Sequence, residues 1–360
     1  MKKGKPAFVG VDLFAGAGGL SLGAKLADIN VVIAVEKDKS AVETYSYNHP
    51  ETQIINDDIQ KIQSLPIKKT KAQTVLFGGP PCQGFSSSNQ RTRNQKNPSN
   101  WLLTEFVRIT DLLGPDWIVF ENVCGFISTE GKLFLNLLLD SFESRGYSCV
   151  WYVLNATDYG VPQKRSRFFL VGSRHGVKVG KPVPLHKGNP ITVYDAIGDL
   201  PCLTNGAKTN YLAYKTEAIS DYSYILRNNL NLCSGHIVTQ NSAQVIERYK
   251  YIPQGGNWQD IPEALMDNYT DRTRCHAGIY YRLKQDEPSL TIGNYRKAML
   301  VHPWENRGLS VREAARIQSF PDSYEFKGSL GFQQQQVGNA VPPMLAKSVF
   351  DMITNEGYGI

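Results

Sequence analysis

Residues 7–27 read AFVGVDLFAGAGGLSLGAKLA, and the fold turns on how this stretch is parsed. AFVGVDLF reads as a buried strand, AGAGG as a turn, and LSLGAKLA as a short helix. Glycines allow the backbone to turn sharply there and to approach a ligand closely. Taken alone, DLFAGAGG at 12–19 fits nucleotide, nicotinamide or S-adenosylmethionine (SAM) binding, or a tight turn with no ligand. No GxxxxGK[ST] occurs, which argues against a phosphate-cradling P-loop.

Outward from this turn the pattern repeats. VVIAVE, TQIIND, QTVLFGG, DWIVFEN, CVWYVLNA and RFFLVGS read as further strands. Helical spacing separates several of them, as in WLLTEFVRITDLLG and GKLFLNLLLDSFESRG. The expected fold is α/β: a doubly wound, mostly parallel Rossmann-like sheet with ligands at the carboxyl ends of its strands. From about Gly176 the rhythm breaks into Tyr, Asn, Pro and Gly without a clear period, and helical character returns in SVREAARIQSF and PMLAKSVFDMI. The expected division is a discontinuous domain of residues 1–175 with 300–360, and a smaller loop-rich domain of 176–299.

Composition bounds the chemistry. The 360 residues carry a net charge of +6, mild but clustered in KKTK (68–71), RTRNQK (91–96), QKRSR (163–167) and SRHGVKVGK (173–181). Each cluster fits a solvated face, and several around one pocket would fit an anionic partner. The six cysteines show no CxxC and no histidine spacing, so neither zinc nor a disulfide framework is expected, and a reducing cytoplasm is. The lysine-rich start imitates a signal peptide, but Asp12 interrupts it, and no apolar run reaches membrane-spanning length.

Acids follow the strands where ligands would lie. Glu36 ends the second strand, where a carboxylate can accept from ribose hydroxyls, and Asp58 follows the third. In GGPPCQGFS the fourth strand delivers Cys82 to the sheet edge on a Pro-Pro step whose fixed φ angles limit its wandering. Such fixity suits a nucleophile. Glu121 ends the next strand, and Cys124 reads as packing. Arg165 and Arg167, one residue apart, would point to one side of an extended backbone.

In this combination the sequence resembles the DNA (cytosine-5)-methyltransferases of prokaryotic and phage restriction-modification systems. DLFAGAGG, GGPPCQGFS, ENVCG, QKRSR, REAARIQSFPD (312–322) and QVGNAVPP (336–343) carry the likeness, in the family's order. The resemblance implies that the Cys82 thiolate attacks C6 of a cytosine flipped out of duplex DNA, and that C5 then accepts methyl from SAM, leaving S-adenosylhomocysteine. Glu121 would hold N3 and the exocyclic amine, Arg167 would donate to O2, and Arg165 would brace Glu121 or a phosphate. The cofactor would meet Phe14, Ala15, Gly16, Gly18, Gly19, Leu20, Glu36, Asp58, Ile59 and Pro80, with Asn339 and Val341 folding back beside the first motif. No metal is implied. Residues 83–100 would form a lid, with Ser86, Ser87, Gln90, Arg91, Arg93 and Gln163 on DNA, and the 176–299 domain would read the target. A monomer is implied, with a cognate endonuclease in the same system and no stable complex between them. The rival readings are a transfer RNA cytosine methyltransferase on the same scaffold, a non-catalytic DNA-binding regulator, and a Rossmann dehydrogenase. The last leaves PPCQ and QKRSR unexplained.

Overall fold

A computed structural model describes residues 8–67, 71–81, 101–267, 277–293, 295, 297 and 299–356. The chain divides into two compact units, one of 1–159, 166–184 and 341–360, the other of 160–165 and 185–340.

The first unit is built on a seven-stranded sheet ordered β3-β2-β1-β4-β5-β7-β6. Its strands are β1 (Phe8–Leu13), β2 (Ile29–Val35), β3 (Gln53–Ile55), β4 (Gln73–Gly78), β5 (Trp117–Val123), β6 (Ser148–Asn155) and β7 (Ser166–Ser173). The strands from β1 to β5 pair in parallel, and β7 runs antiparallel to both β5 and β6. The mostly parallel sheet expected from the alternating pattern is therefore present. All six residues of β1 are buried, and so are the first six of β5, which explains why both read as mainly apolar runs, with Asp12, Glu121 and Asn122 as buried exceptions, rather than as alternating ones. Each fully buried Phe, Ile, Leu or Val of this core contributes about 1.5–3 kcal/mol relative to exposure.

Helices α1 (Gly19–Leu26), α2 (Lys39–Asn48) and α3 (Leu102–Leu113) belong to this unit, with Leu133–Glu143 and the C-terminal Pro343–Glu356. A Cβ on Gly23 of α1 would collide with Ala346 and Pro343, so Gly23 lets the C-terminal helix approach α1 closely. Phe350 of that helix meets Phe77 of β4 edge-on, with ring centroids 5.0 Å apart. The last segment of the chain is thereby packed beside the first.

Among its described residues the second unit holds the two-residue strands Leu212–Ala213 and Leu232–Cys233, with short helices such as Asp221–Arg227, Ala243–Lys250 and Val311–Ile317. Buried arginines do much of the work a sheet would do. Arg282 donates to the carbonyls of Tyr249, Ile252, His302 and Glu305. Arg316 lies between Asp199 at 2.8 Å and Asp322 at 2.7 Å. Residues 300–340, expected with the sheet, pack here instead, because their side chains bond to Asp199, Ser234 and Thr239.

Candidate functional site

Strand order reverses where β1 lies beside β4, so a crevice opens at the carboxyl ends of these two strands. On the β1 side the turn is made by Phe14, Gly16 and Gly18, with φ of 58°, 55° and 87°. Its backbone is pinned to β2: Ala15 N–H donates to the Val35 carbonyl at 3.1 Å and Gly16 N–H to Glu36 Oε2 at 2.8 Å. Glu36 Oε1 accepts from the N–H groups of Lys37 and Asp38, each at 2.8 Å. Three backbone donors therefore fix this carboxylate, and Oε2 keeps a lone pair for a ligand hydroxyl. A Cβ placed on Gly16 would meet nothing within 4 Å, so space lies open beside the turn. Gly19 and Leu20 begin α1 and are buried. Asp58 caps the next turn by accepting from Gln60 N–H at 3.1 Å, and Ile59 beside it is buried. An open glycine turn edged by a fixed carboxylate suits an adenosine-type ligand such as SAM.

On the β4 side the chain leaves through Gly78, Gly79, Pro80 and Pro81. Asn122 Nδ2 donates to the Pro80 carbonyl at 3.3 Å, tying this exit to β5. Glu121 of β5 lies directly over Gly79, where an added Cβ would sit 2.5 Å from Oε2. Arg167 of β7 pairs with Glu121, Nε to Oε1 at 2.9 Å, with side-chain exposures of 13% and 9%. Carboxyl and guanidinium thus form one largely dehydrated pair beside the proline mount. Cys124 adjoins it. Burial pushes its thiol up, the Arg167 charge opposes that, and Glu121 adds to it, which leaves the sulfur protonated and inert.

Cys82, Ser86, Ser87, Gln90, Arg91 and Arg93 lie outside the described residues. Lys164 and Ser166 are exposed while Arg165 is buried and Arg167 partly so, which is the two-residue alternation expected of Arg165 and Arg167. Arg165 is buried in the second unit and donates to the Gly338 carbonyl at 3.0 Å and to Gln163 Oε1 at 3.4 Å. Gln163, expected on DNA, is 0% exposed. Its Nε2 donates to Gln318 Oε1 at 2.9 Å, and its Oε1 accepts from Ile292 N–H at 3.1 Å. With no exposed surface it has no edge to offer a duplex; it joins segments of the second unit. Asn339 is exposed at the end of the helix Leu330–Asn339 in that unit, and Val341 is buried in the first. The sequence reading missed the pinning of Gly16 by Glu36, and the glycine two residues after the β4 apolar run was the available signal for Glu121's close approach.

Among the described residues no group of three or more His, Cys, Asp or Glu could hold a metal ion, and no helix is long and apolar enough to cross a membrane.

Comparison with known proteins agrees with this geometry. The profile of the C-5 cytosine-specific DNA methylase family matches residues 8–355. The type II methyltransferase M1.HphI of Haemophilus parahaemolyticus is 36% identical over 356 residues, covering 96% of this chain and 87% of its own. M.DdeI of Desulfomicrobium norvegicum is 32% identical over 366 residues, covering 96% and 88%. A solved structure described as a prophage-encoded DNA modification methyltransferase (E. coli) superposes with a TM-score of 0.77 at 26% identity, covering 97% of this chain and 99% of that one. The chain belongs to the C-5 cytosine-specific DNA methylase family.

Proposed function

We propose that this chain transfers the methyl group of SAM to C5 of a cytosine flipped out of a specific duplex DNA sequence, as the modifying partner of a restriction endonuclease, acting in the cytoplasm as a monomer. The observation that carries the reading is the Glu121–Arg167 pair, seated on Gly79 at the strand exit that leads through Pro80 and Pro81 to Cys82.

The reaction follows from what these residue types do. The Cys82 thiolate forms a bond to C6, and the electrons of the C5–C6 double bond become available at C5. Glu121 hydrogen-bonds N3 and the exocyclic amine, favouring protonation at N3 as the sulfur adds. Arg167 holds Glu121 through Nε and donates from Nη1 to the Ser166 carbonyl, and its remaining terminal N–H groups would serve cytosine O2. SAM, when bound, supplies an electrophilic methyl group. After C5 is methylated its proton leaves to a base, the C6–S bond breaks, and the thiolate returns. Glu36 holds the donor's ribose, while Phe14, Ala15, Gly16, Gly18, Gly19 and Leu20 line its cradle. Asp58 and Ile59 border the adenine. The basic segment with Ser86, Ser87, Gln90, Arg91 and Arg93 closes on DNA, and the second unit reads the target.

The test is transfer of labelled methyl from SAM to duplex DNA, followed by a duplex carrying 5-fluorocytosine at the mapped target. The wild-type protein should become covalently attached, because C5 then has no removable proton. Cys82→Ser should form no adduct. Methylation without a trapped adduct would overturn the thiol mechanism.

A further inference from the structure

In the second unit an open cavity of about 470 Å³ lies where the segment after Leu212–Ala213 meets the end of the helix Asp221–Arg227. Methyl transfer as described above leaves it unused. Arg227 lines it while keeping only 8% of its surface exposed. The guanidinium lies over the Tyr214 ring, 3.7 Å from its centroid. Nε donates to Asp199 Oδ2 at 2.8 Å, and Nη2 meets the same oxygen at 2.7 Å and donates to the Thr216 carbonyl. Nη1 has no partner among the described residues and is not sealed in by protein, so it is a held donor facing the cavity. Asp199 does not balance Arg227 alone. It also binds Arg316 at 2.8 Å, and Arg316 and Arg312 share Asp322 at 2.7 and 3.6 Å. Three guanidiniums thus meet two carboxylates, and of the three Arg227 opens on the cavity. Lys215, exposed on the lining, has no acid within ion-pair distance among the described residues. Glu217 is the acid of the lining, against these two cations.

The helix Asp221–Arg227 ends at this cavity, and the negative end of its dipole would oppose an anion. Its last carbonyls are already occupied, however. Those of Tyr224 and Arg227 accept from the N–H groups of Asn228 at 3.3 Å and Leu230 at 3.0 Å, across the left-handed residues Asn228 and Asn229 with φ of 46° and 63°. The cationic donors therefore set the character of the site. We propose that this cavity binds a phosphate group through Arg227 Nη1 and the Lys215 ammonium, the phosphate belonging to the backbone of duplex DNA. Arg227 is already held by Asp199, Thr216 and Tyr214, so it loses little side-chain freedom on binding. The cavity is larger than one phosphate, and exposed Tyr224 and Leu230 offer apolar surface to the sugars beside it. A contact of this kind seats the second unit on DNA without reading sequence. The source of the phosphate rests on the DNA reading above; the chemistry of the site does not, since free phosphate presents the same oxygens.

The experiment measures duplex DNA binding by fluorescence anisotropy between about 50 and 200 mM salt, for the wild-type protein, Lys215→Gln and Lys250→Gln. Lys250 is the control, an exposed lysine already paired with Glu247. Loss of one phosphate contact in Lys215→Gln should lower the slope of log affinity against log salt by about 0.9, so that affinity falls about 3.5-fold less across a fourfold rise in salt. The change should be equal for target and unrelated duplexes, and absent in Lys250→Gln. Asn229→Asp sets an acid in the lining at a left-handed position that Asp tolerates, and should weaken every duplex alike. In a second arm, inorganic phosphate is titrated into the protein without DNA while the amide resonances of Lys215 and Asn229 are followed by NMR, with chloride at equal ionic strength as reference. Saturable shifts that Lys215→Gln abolishes, with an unchanged DNA slope, would assign the site to free phosphate. An unchanged slope with no phosphate-specific shift overturns the site. A protein that binds no duplex at all would refute the DNA reading instead, and the phosphate titration alone would then decide the cavity.

Discussion

Gly79→Ala isolates the placement of Glu121 from the stability of the fold. The added Cβ would sit 2.5 Å from Oε2, about 0.9 Å inside the 3.4 Å at which ordinary contact begins. No positive φ is required at Gly79, so alanine brings no backbone strain. The clashing atom is the end of a side chain and can yield. It cannot yield freely, because Arg167 holds Oε1 at 2.9 Å and the pair is nearly dehydrated. The carboxyl must therefore move by most of an ångström or part from its guanidinium. A misplacement of about 1 Å costs on the order of 10²-fold in rate, or about 2.7 kcal/mol of barrier. Stability should change by less than about 1 kcal/mol. Single-turnover methyl transfer with saturating SAM reads the first quantity, and urea unfolding reads the second. Gly78→Ala is the contrasting control, since its Cβ would strike the Leu13 carbonyl of the neighbouring strand, where neither backbone can give way. It should lose more than about 2 kcal/mol of stability. A Gly79→Ala protein that transfers methyl at the wild-type rate would refute the claim that Glu121's position is set by this contact.

Arg167→Lys should lower single-turnover methyl transfer about 10²-fold or more despite keeping the charge, because an ammonium cannot present Nε to Glu121 and further donors to a base together; a near-normal rate would remove Arg167 from the site. Burial pushes His49 down to about 3 and His236 to about 4, so as pH falls below 6.5 the unfolded chain takes up protons that the folded chain refuses. Each should then cost about 1.4 kcal/mol of stability per pH unit, and His49→Gln should reduce the measured slope between pH 6.5 and 5 by that amount. Arg316→Ala should destabilise by about 3 kcal/mol in urea, since it leaves Asp199 with Arg227 alone and Asp322 with Tyr214 and a longer Arg312 contact at 3.6 Å, both acids having side chains 0% exposed. Burial opposes ionisation of Asp322 but Arg316 outweighs it and holds the carboxyl low, so this contribution is present above pH 3.8 and lost as pH falls through Asp322's folded value.

Much of the first unit was legible because its central strands are buried on both faces and therefore read as mainly apolar runs. Trp117–Val123 and Phe8–Leu13 are of this kind. The second unit was not. Its order rests on arginine–carbonyl and arginine–carboxylate bonds between residues far apart in sequence, which leave no periodic trace. Arg316 with Asp199 and Arg312 with Ser234 are examples. Some local signals there were readable: Thr192 with Asp195 and Ser220 with Ser223 form capping boxes that begin the helices Val193–Ile197 and Asp221–Arg227. At the proposed site, Glu36 and Glu121 stood out in the sequence as acids following apolar runs, and each reaches a glycine of the neighbouring strand's exit. Gln163 misled, because a polar residue in a basic cluster resembles a surface contact and only tertiary packing shows it buried.

The two halves of the crevice use one device for different reasons. On each side a strand-end glutamate reaches across to a glycine where the adjacent strand leaves the sheet: Glu36 of β2's end to Gly16, and Glu121 of β5 to Gly79. Parallel neighbours about 4.8 Å apart bring their carboxyl ends level, which puts such a side chain within reach of the next backbone. At Gly16 the glycine is needed for its φ of 55°, since a Cβ would find open space there. At Gly79 it is needed for room, since a Cβ would displace the acid. The β1 side therefore keeps an unfilled volume beside a fixed carboxylate, as a place where a ligand enters and leaves must. The β4 side has its volume already filled by the carboxylate, as a place that must hold one group still must. That difference in packing supports the proposal of binding on the β1 side and chemistry on the β4 side.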